Sequence, residues 1–214
     1  MVRLIALIIG YLFGLFQTSY FLGKEKGFDI RKTGSGNAGT TNALRTMGLK
    51  AGALVMIGDI VKSIIAIAVV RLLLGSRHPE ISSLLAVYAG LGAVLGHNFP
   101  FYLGFRGGKG VACTAGLIIS LTPWMIIPGI ILFFGTVTLT HYVSLASLLL
   151  GAAFFAAVVV GGQMGVFHMS APHLMEMYIL IAIVIGMMYW QHRGNIKRLL
   201  SGTERKTYIF KKKG

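Results

Sequence analysis

Long apolar runs separated by short polar loops dominate this chain. Leu4 to Gly23 carries no charge for 20 residues, enough for a helix to cross a hydrocarbon core about 30 Å thick. A polar loop follows from Lys24 to Lys50, then a second apolar run from about Ala51 to Leu74. A turn at Gly75 to Glu80, broken by Pro79, leads into a third run from about Ile81. Gly110 to Met175 contains no Lys, Arg, Asp or Glu, so the number of crossings it holds decides the topology. Thr122-Pro123 reads as an N-cap and first-turn proline that ends one short helix and opens the next. His141-Tyr142 and Gly161-Gly162-Gln163 interrupt the run again. With a last run at about His173 to Gln191, four crossings follow Lys109, the first of them short. The pattern predicts an all-α, polytopic membrane protein with seven transmembrane helices, a single membrane domain over residues 1–214.

Composition agrees. Charged residues make up 12% of the chain and hydrophobic ones 55%, with a mean hydropathy of +0.76, whereas a soluble domain carries about 25% charge. The opening run is not a cleaved signal, because a basic loop stands where a cleavage site belongs. Cys113 is the single cysteine, which excludes an internal disulfide, and it reads as a small packed residue.

The net charge of +14 invites a nucleic-acid reading, but its distribution points to a membrane. Six basic residues lie in the loop 24–50, two near 106 and eight from Arg193 to Lys213, against Arg3, Arg71 and Arg77 on the opposite side. Positive charge gathers on the cytoplasmic side, so the N-terminus is expected out and the C-terminus in. Were Val111 to Thr140 one long helix, the eight-charge tail would fall outside. The same basic pool attracts anionic lipid and concentrates an anionic substrate.

Three polar stretches share the inner face in this arrangement. The first, Gly96 to Ala112, frames Lys109 with Gly107, Gly108 and Gly110. Backbone N–H groups, an ammonium and the start of a helix near Val111 would converge there as a phosphate site. The alternative is a flexible turn with a solvated lysine. A Walker A loop is a poorer fit, since Gly110 stands where Ser or Thr would hold magnesium. The second stretch, Gly34-Ser35-Gly36-Asn37-Ala38-Gly39-Thr40-Thr41-Asn42 with Arg45, suits backbone wrapped around an oxyanion, or a capped turn that starts a short helix. In the third, His192 and Asn195 share a helix face. Lys197, Arg198 and Lys211 to Lys213 read as a surface anchor. Asp59 and Lys62 lie inside the second run at i, i+3 spacing; mutual neutralisation that holds the fold is favoured over contact with a ligand. The histidines show no metal-ligand spacing, so no metal is expected.

These motifs resemble those of the bacterial acyl-phosphate:glycerol-3-phosphate acyltransferases, seven-span membrane enzymes of phospholipid synthesis. The likeness covers nearly the whole chain. It rests on GSGNAGTTN with Arg45, DIVK at 59–62, GHNFPFYLGFRGGKGVA, and HRGNIKRLLSGTERK. Small departures are Ala38 for the usual Pro, Thr40 for Ala, Arg106 for Lys and Ser63 for Gly. The resemblance implies acyl transfer from acyl phosphate to the 1-hydroxyl of glycerol 3-phosphate, giving lysophosphatidate and phosphate. It implies no cofactor and no nucleic acid, a monomer among membrane lipids, and a bacterial inner membrane site facing the cytoplasm. By motif, Ser35 and Arg45 would hold phosphate, Lys109 with its glycines would bind glycerol phosphate, and His192 and Asn195 would position substrate. Gly34, Gly36, Asn37, Gly39, Asn42, His97, Asn98 and Arg106 would complete the substrate site. Glu204 would brace the loops, Ser144 is a further phosphate contact, and the acyl chain would lie in a groove open to lipid.

Direct transfer is expected, because Ser35 has no sequence-adjacent base to make it a nucleophile. No histidine precedes an Asp at the spacing used by acyl-CoA acyltransferases. A transporter for a small anion is the rival class, but no inverted repeat or paired interrupted helices are visible.

Overall fold

A computed structural model of the chain describes residues 1–208. The expected anchor at Lys211 to Lys213 lies outside the described residues. The described residues form ten α-helices in order: α1 (Val2–Gly14), α2 (Thr18–Glu25), α3 (Thr40–Met47), α4 (Leu49–Val70), α5 (Ser82–Asn98), α6 (Val111–Leu121), α7 (Ile126–Thr140), α8 (Val143–Gln163), α9 (Ala171–Gln191) and α10 (Arg193–Leu200). Among the described residues there is no strand. The all-helical reading of the sequence holds.

Among the described residues, six helical stretches are long and apolar enough to cross a membrane: Val2–Glu25, Leu49–Gly75, Pro79–Leu103, Pro123–Thr140, Val143–Gln163 and Ala171–Gln191. Helix α6, where the sequence predicts a short crossing, has 11 residues and is about 16 Å long, roughly half the hydrocarbon thickness. Thr122 ends it, and Pro123 opens the next turn as its spacing predicts.

The first crossing differs from the sequence reading. Rather than one continuous helix, the chain breaks between α1 and α2 at Leu15–Gln17, with neither Gly nor Pro there. Freed backbone carbonyls are satisfied from other elements: Tyr102 Oη donates to Leu15 O at 2.7 Å and Lys62 Nζ to Phe16 O at 2.6 Å. The Gln17 side chain, fully buried, donates Nε2 to His97 O at 3.0 Å.

Helix α5 forms the centre, packed by α1, α4, α6 and α9. Its contact with α1 is backbone on backbone. Gly10 and Gly14 meet Gly92 and Gly96, so that a Cβ at Gly10 would overlap Ala89 O and one at Gly92 would overlap Leu7 O. Paired small residues at i, i+4 are how membrane helices gain close packing where no hydrophobic drive exists between them. At the other end of the bundle, Arg3 at the start of α1 pairs with Glu176 of α9 at 2.6 Å, and Tyr88 donates to the same carboxylate at 2.7 Å.

Two measurements test this architecture. Gly92→Ala should lower the midpoint of thermal unfolding in detergent, since overpacking costs about 1–3 kcal/mol. Gly135→Ala, with no atom within 4 Å of the added methyl, should leave the midpoint unchanged or raise it. The orientation expected from the charge count predicts labelling by an impermeant thiol reagent in a Cys113→Ala background. Cysteines replacing Ser76 and Met164, both exposed, should react from outside the cell, and one replacing Ser201 should not.

Candidate active site

The loop 26–39 is shaped by its own polar residues. Asp29 Oδ1 caps Arg31 N at 2.9 Å, and the Arg31 guanidinium returns to Asp29 and donates to Leu103 O at 2.7 Å, joining this loop to the next. Asn42, buried at the start of α3, accepts from Ser35 N at 2.8 Å and donates to Ile30 O and Thr33 O at 3.1 and 3.0 Å. Gly34 lies at φ +62 against the Asn42 amide, where a side chain would overlap it. Gly34 and Asn42 therefore build the loop. They leave the exposed Ser35 projecting, and its hydroxyl has no hydrogen bond among the described residues.

The second loop corrects the expected phosphate cradle. Gly107 N and Gly108 N donate to Asn98 O and His97 O at 3.1 and 3.0 Å, closing the C-terminus of α5 rather than facing a ligand. Arg106 is exposed and, like Asn98, Gly107 and Gly108, does not line the cavity described below. The Asn98 amide is buried without a partner among the described residues. What faces the cavity is Lys109 and the N-terminus of α6, where Gly110, Val111 and Ala112 line the wall. The first-turn N–H groups there have no intrahelical acceptor and favour an anion.

The tail supplies the third side. Helix α9 continues through His192 into α10. His192 Nδ1 donates to Met188 O at 2.8 Å, which leaves Nε2 as an acceptor. Burial, reinforced by the Lys109 charge, holds this imidazole down to about 4, so it is neutral near pH 7. Asn195 is engaged at both ends: Oδ1 accepts from Lys109 Nζ, and Nδ2 donates to Glu204 Oε1 at 2.6 Å. Glu204 also takes Ser144 Oγ at 2.9 Å and Arg198 Nε at 2.7 Å. Burial would raise the Glu204 carboxyl, but the donors from Asn195, Ser144 and Arg198 outweigh it and hold the group ionised. Burial also pulls the Lys109 ammonium down to about 8; Glu204 opposes this, and Arg198 and Arg45 add to it.

Beyond α10, the extended residues 203–208 fold back across the site. Thr207 N donates to His141 O at 2.8 Å, and Arg45 Nη2 donates to Thr207 Oγ1 at 2.8 Å. The sequence reading missed Thr207 and Arg205, and placed Arg198 only as a lipid anchor. The run Thr203-Glu204-Arg205-Lys206 was the one available signal, and nothing local tells which of its charges turns inward.

These elements enclose one cavity of about 990 Å³. Its polar end holds Ser35, Gly36, Asn37, Gly39, Arg45, Lys109, His192 and Asn195. Its apolar arm is walled by Met56 and Ile60 of α4, Ile118 of α6, and Phe133 and Phe134 of α7. The arm forms because α6 packs on α4 while α7 packs on α8, leaving a gap between the pairs. Asp59 and His97 reach the floor of the polar end, while Lys62 lies behind them. A cation-lined head continuous with an apolar channel suits an amphiphile that carries phosphate.

The family model of glycerol-3-phosphate acyltransferase matches residues 4–202. A glycerol-3-phosphate acyltransferase of Halalkalibacterium halodurans is 41% identical over 94% of this chain and 93% of its own length. The one from Clostridioides difficile is 40% identical over 95% and 94%. Two crystal structures of PlsY (YgiH), an integral membrane glycerol 3-phosphate acyltransferase, share the fold. The glycerol 3-phosphate form aligns at TM-score 0.83 and 32% identity over 96% of each chain. The lysophosphatidic acid form aligns at 0.81 and 31% over 97% of this chain and 96% of that one. With the family matched from the first crossing to the end of α10, this chain belongs to the glycerol-3-phosphate acyltransferases.

Proposed function

We propose that the protein transfers a fatty acyl group from acyl phosphate to the 1-hydroxyl of glycerol 3-phosphate, releasing lysophosphatidate and phosphate. A continuous cavity with a cationic head and an apolar arm carries this reading, because both substrates bear phosphate and only one bears a chain. Relatives in this family are named for glycerol 3-phosphate, and a structural neighbour has a lysophosphatidic acid form, which is the product proposed. The site would face the cytoplasm of a bacterial inner membrane, at the basic end of a seven-crossing monomer, with α6 as the short crossing.

Lys109, the α6 N-terminus and Arg45 bind phosphate. Asn195 and Glu204 hold Lys109 in place, and Ser144 acts through Glu204, since their own polar atoms are already engaged. The neutral His192 accepts a hydrogen bond from a substrate hydroxyl and orients it. Ser35 serves as a donor to an oxyanion rather than as a nucleophile, since no base contacts its hydroxyl among the described residues. The glycerol oxygen attacks the acyl carbon, the bond from that carbon to the phosphate oxygen breaks, and the proton leaves with the departing phosphate. Acyl phosphate is an activated anhydride, so donors to the developing oxyanion supply most of what the reaction requires.

Incubation of purified protein in detergent with both substrates should yield lysophosphatidate, whereas a transporter leaves no new product. Mixed with acyl phosphate alone, the enzyme should give no stoichiometric phosphate burst and no acylated Ser35 peptide; finding both would establish a two-step route instead. Lys109→Ala should lower kcat/KM for glycerol 3-phosphate by about 10- to 150-fold, the equivalent of about 1.5–3 kcal/mol for a charged contact. Arg106→Ala should have a much smaller effect. Because the Lys109 ammonium is held near 8, wild-type kcat/KM should fall as pH rises through about 8, where the lysine loses its proton. Lys109→Arg should remove that fall.

A further inference from the structure

His97 ends α5 with a side chain only 4% exposed, at the floor of the cavity. Its Nδ1 lies 2.9 Å from Lys62 Nζ. Its Nε2 makes no hydrogen bond among the described residues. That edge of the ring sits where the two loops meet, since a Cβ on Gly108 would overlap Nε2 and lie 3.0 Å from Ala38 O. An unpartnered, nearly buried ring nitrogen therefore stands beside the cationic head of the cavity.

Lys62 decides which ring nitrogen carries the proton. Its Nζ lies 2.6 Å from Phe16 O and 2.8 Å from Asp59 Oδ1, both acceptors only. Thr18 Oγ1 donates to the same carboxylate oxygen at 3.2 Å. A buried ammonium beside a buried carboxylate leaves no charge uncompensated. An ammonium has three protons to donate and accepts nothing, so its third proton goes to His97 Nδ1. With Nδ1 bound to accept, the ring proton is on Nε2, at the edge where the two loops meet beside the cavity that His97 lines.

We infer that His97 donates Nε2–H to a phosphate oxygen of a bound substrate, and that Asp59 and Lys62 are positioning residues that set its tautomer. This rests on the phosphate-binding reading of the cavity head, and it gives the buried pair a part in the reaction beyond holding the helices together. The phosphate belongs to glycerol 3-phosphate or to acyl phosphate, which share this chemistry.

Two substitutions separate the ring nitrogens. The amide of His97→Gln reaches the place of Nε2, whereas that of His97→Asn reaches only Nδ1 and the Lys62 contact. The asparagine variant should lose about tenfold in kcat/KM through a raised KM for one of the two phosphate substrates. The substrate whose KM rises is the one contacted. The glutamine variant should stay within about threefold of wild type. If asparagine retains activity and glutamine does not, or if neither changes either KM, the ring only braces Lys62 and the inference fails. A raised KM in Lys109→Ala beside an unchanged His97→Asn sinks this inference alone, while a normal Lys109→Ala sinks the phosphate reading beneath it. Nitrogen NMR of wild-type protein labelled at histidine requires no variant to fold. His97 should be a neutral Nε2–H ring near neutral pH, and that signal should move when glycerol 3-phosphate or a phosphonate analogue of acyl phosphate is added. An Nδ1–H ring, or a signal indifferent to both ligands, overturns the assignment.

Discussion

A lysine ammonium held 5% exposed inside a membrane bundle is the constraint around which the structure arranges itself. Such a charge is tolerated only with a counter-charge and a full set of acceptors. Asp59, one turn earlier on α4, provides the charge. The remaining acceptors come from elsewhere: a backbone carbonyl from the first crossing and a ring nitrogen from the end of α5. The first crossing must therefore unwind at Phe16, and α5 must bring His97 to the same depth. Three crossings are thereby fixed at one level, directly under the two loops that form the head of the site.

The glycines of the second loop belong to the same arrangement. Gly107 and Gly108 look like phosphate-cradle residues, and their spacing around Lys109 is what draws attention to them. Their N–H groups instead close α5, and Gly108 has no side chain because the His97 ring occupies that space. Lys109 then projects from a base set by α5, while the free N–H groups are those of the α6 N-terminus. The free donors therefore belong to the helix that the loop introduces, not to the loop itself.

The remaining cavity follows from a mismatch of lengths and pairings. Helix α6 is short and stays with α4; α7 stays with α8, and an apolar channel is left between them. The polar head is closed by a strap that begins at Thr203, through Glu204 to Asn195 and through Thr207 to Arg45 and His141. His141 caps α7, so one segment touches both the cationic head and the helix that walls the channel.

The apolar runs alone determine that this chain is helical and membrane-embedded, because hydrocarbon tolerates no unpaired backbone and a 20-residue uncharged run has one economical solution. The short α6 was legible in Thr122-Pro123, and the pairing of Asp59 with Lys62 in their i, i+3 spacing, since both are local consequences of helix geometry. The break at Leu15–Gln17 was not, because nothing in those residues disfavours a helix and the cause is an ammonium on another crossing. Nor could the sequence tell that Asn42 and Gly34, which line the cavity with Ser35, also shape the loop that presents it, or that Asn195 is spent between Lys109 and Glu204. Those assignments depend on which side chains meet across 80 or more residues of chain in the Lys109–Asn195 case, and a residue's type names the bonds it can make but not the partner that packing brings to it.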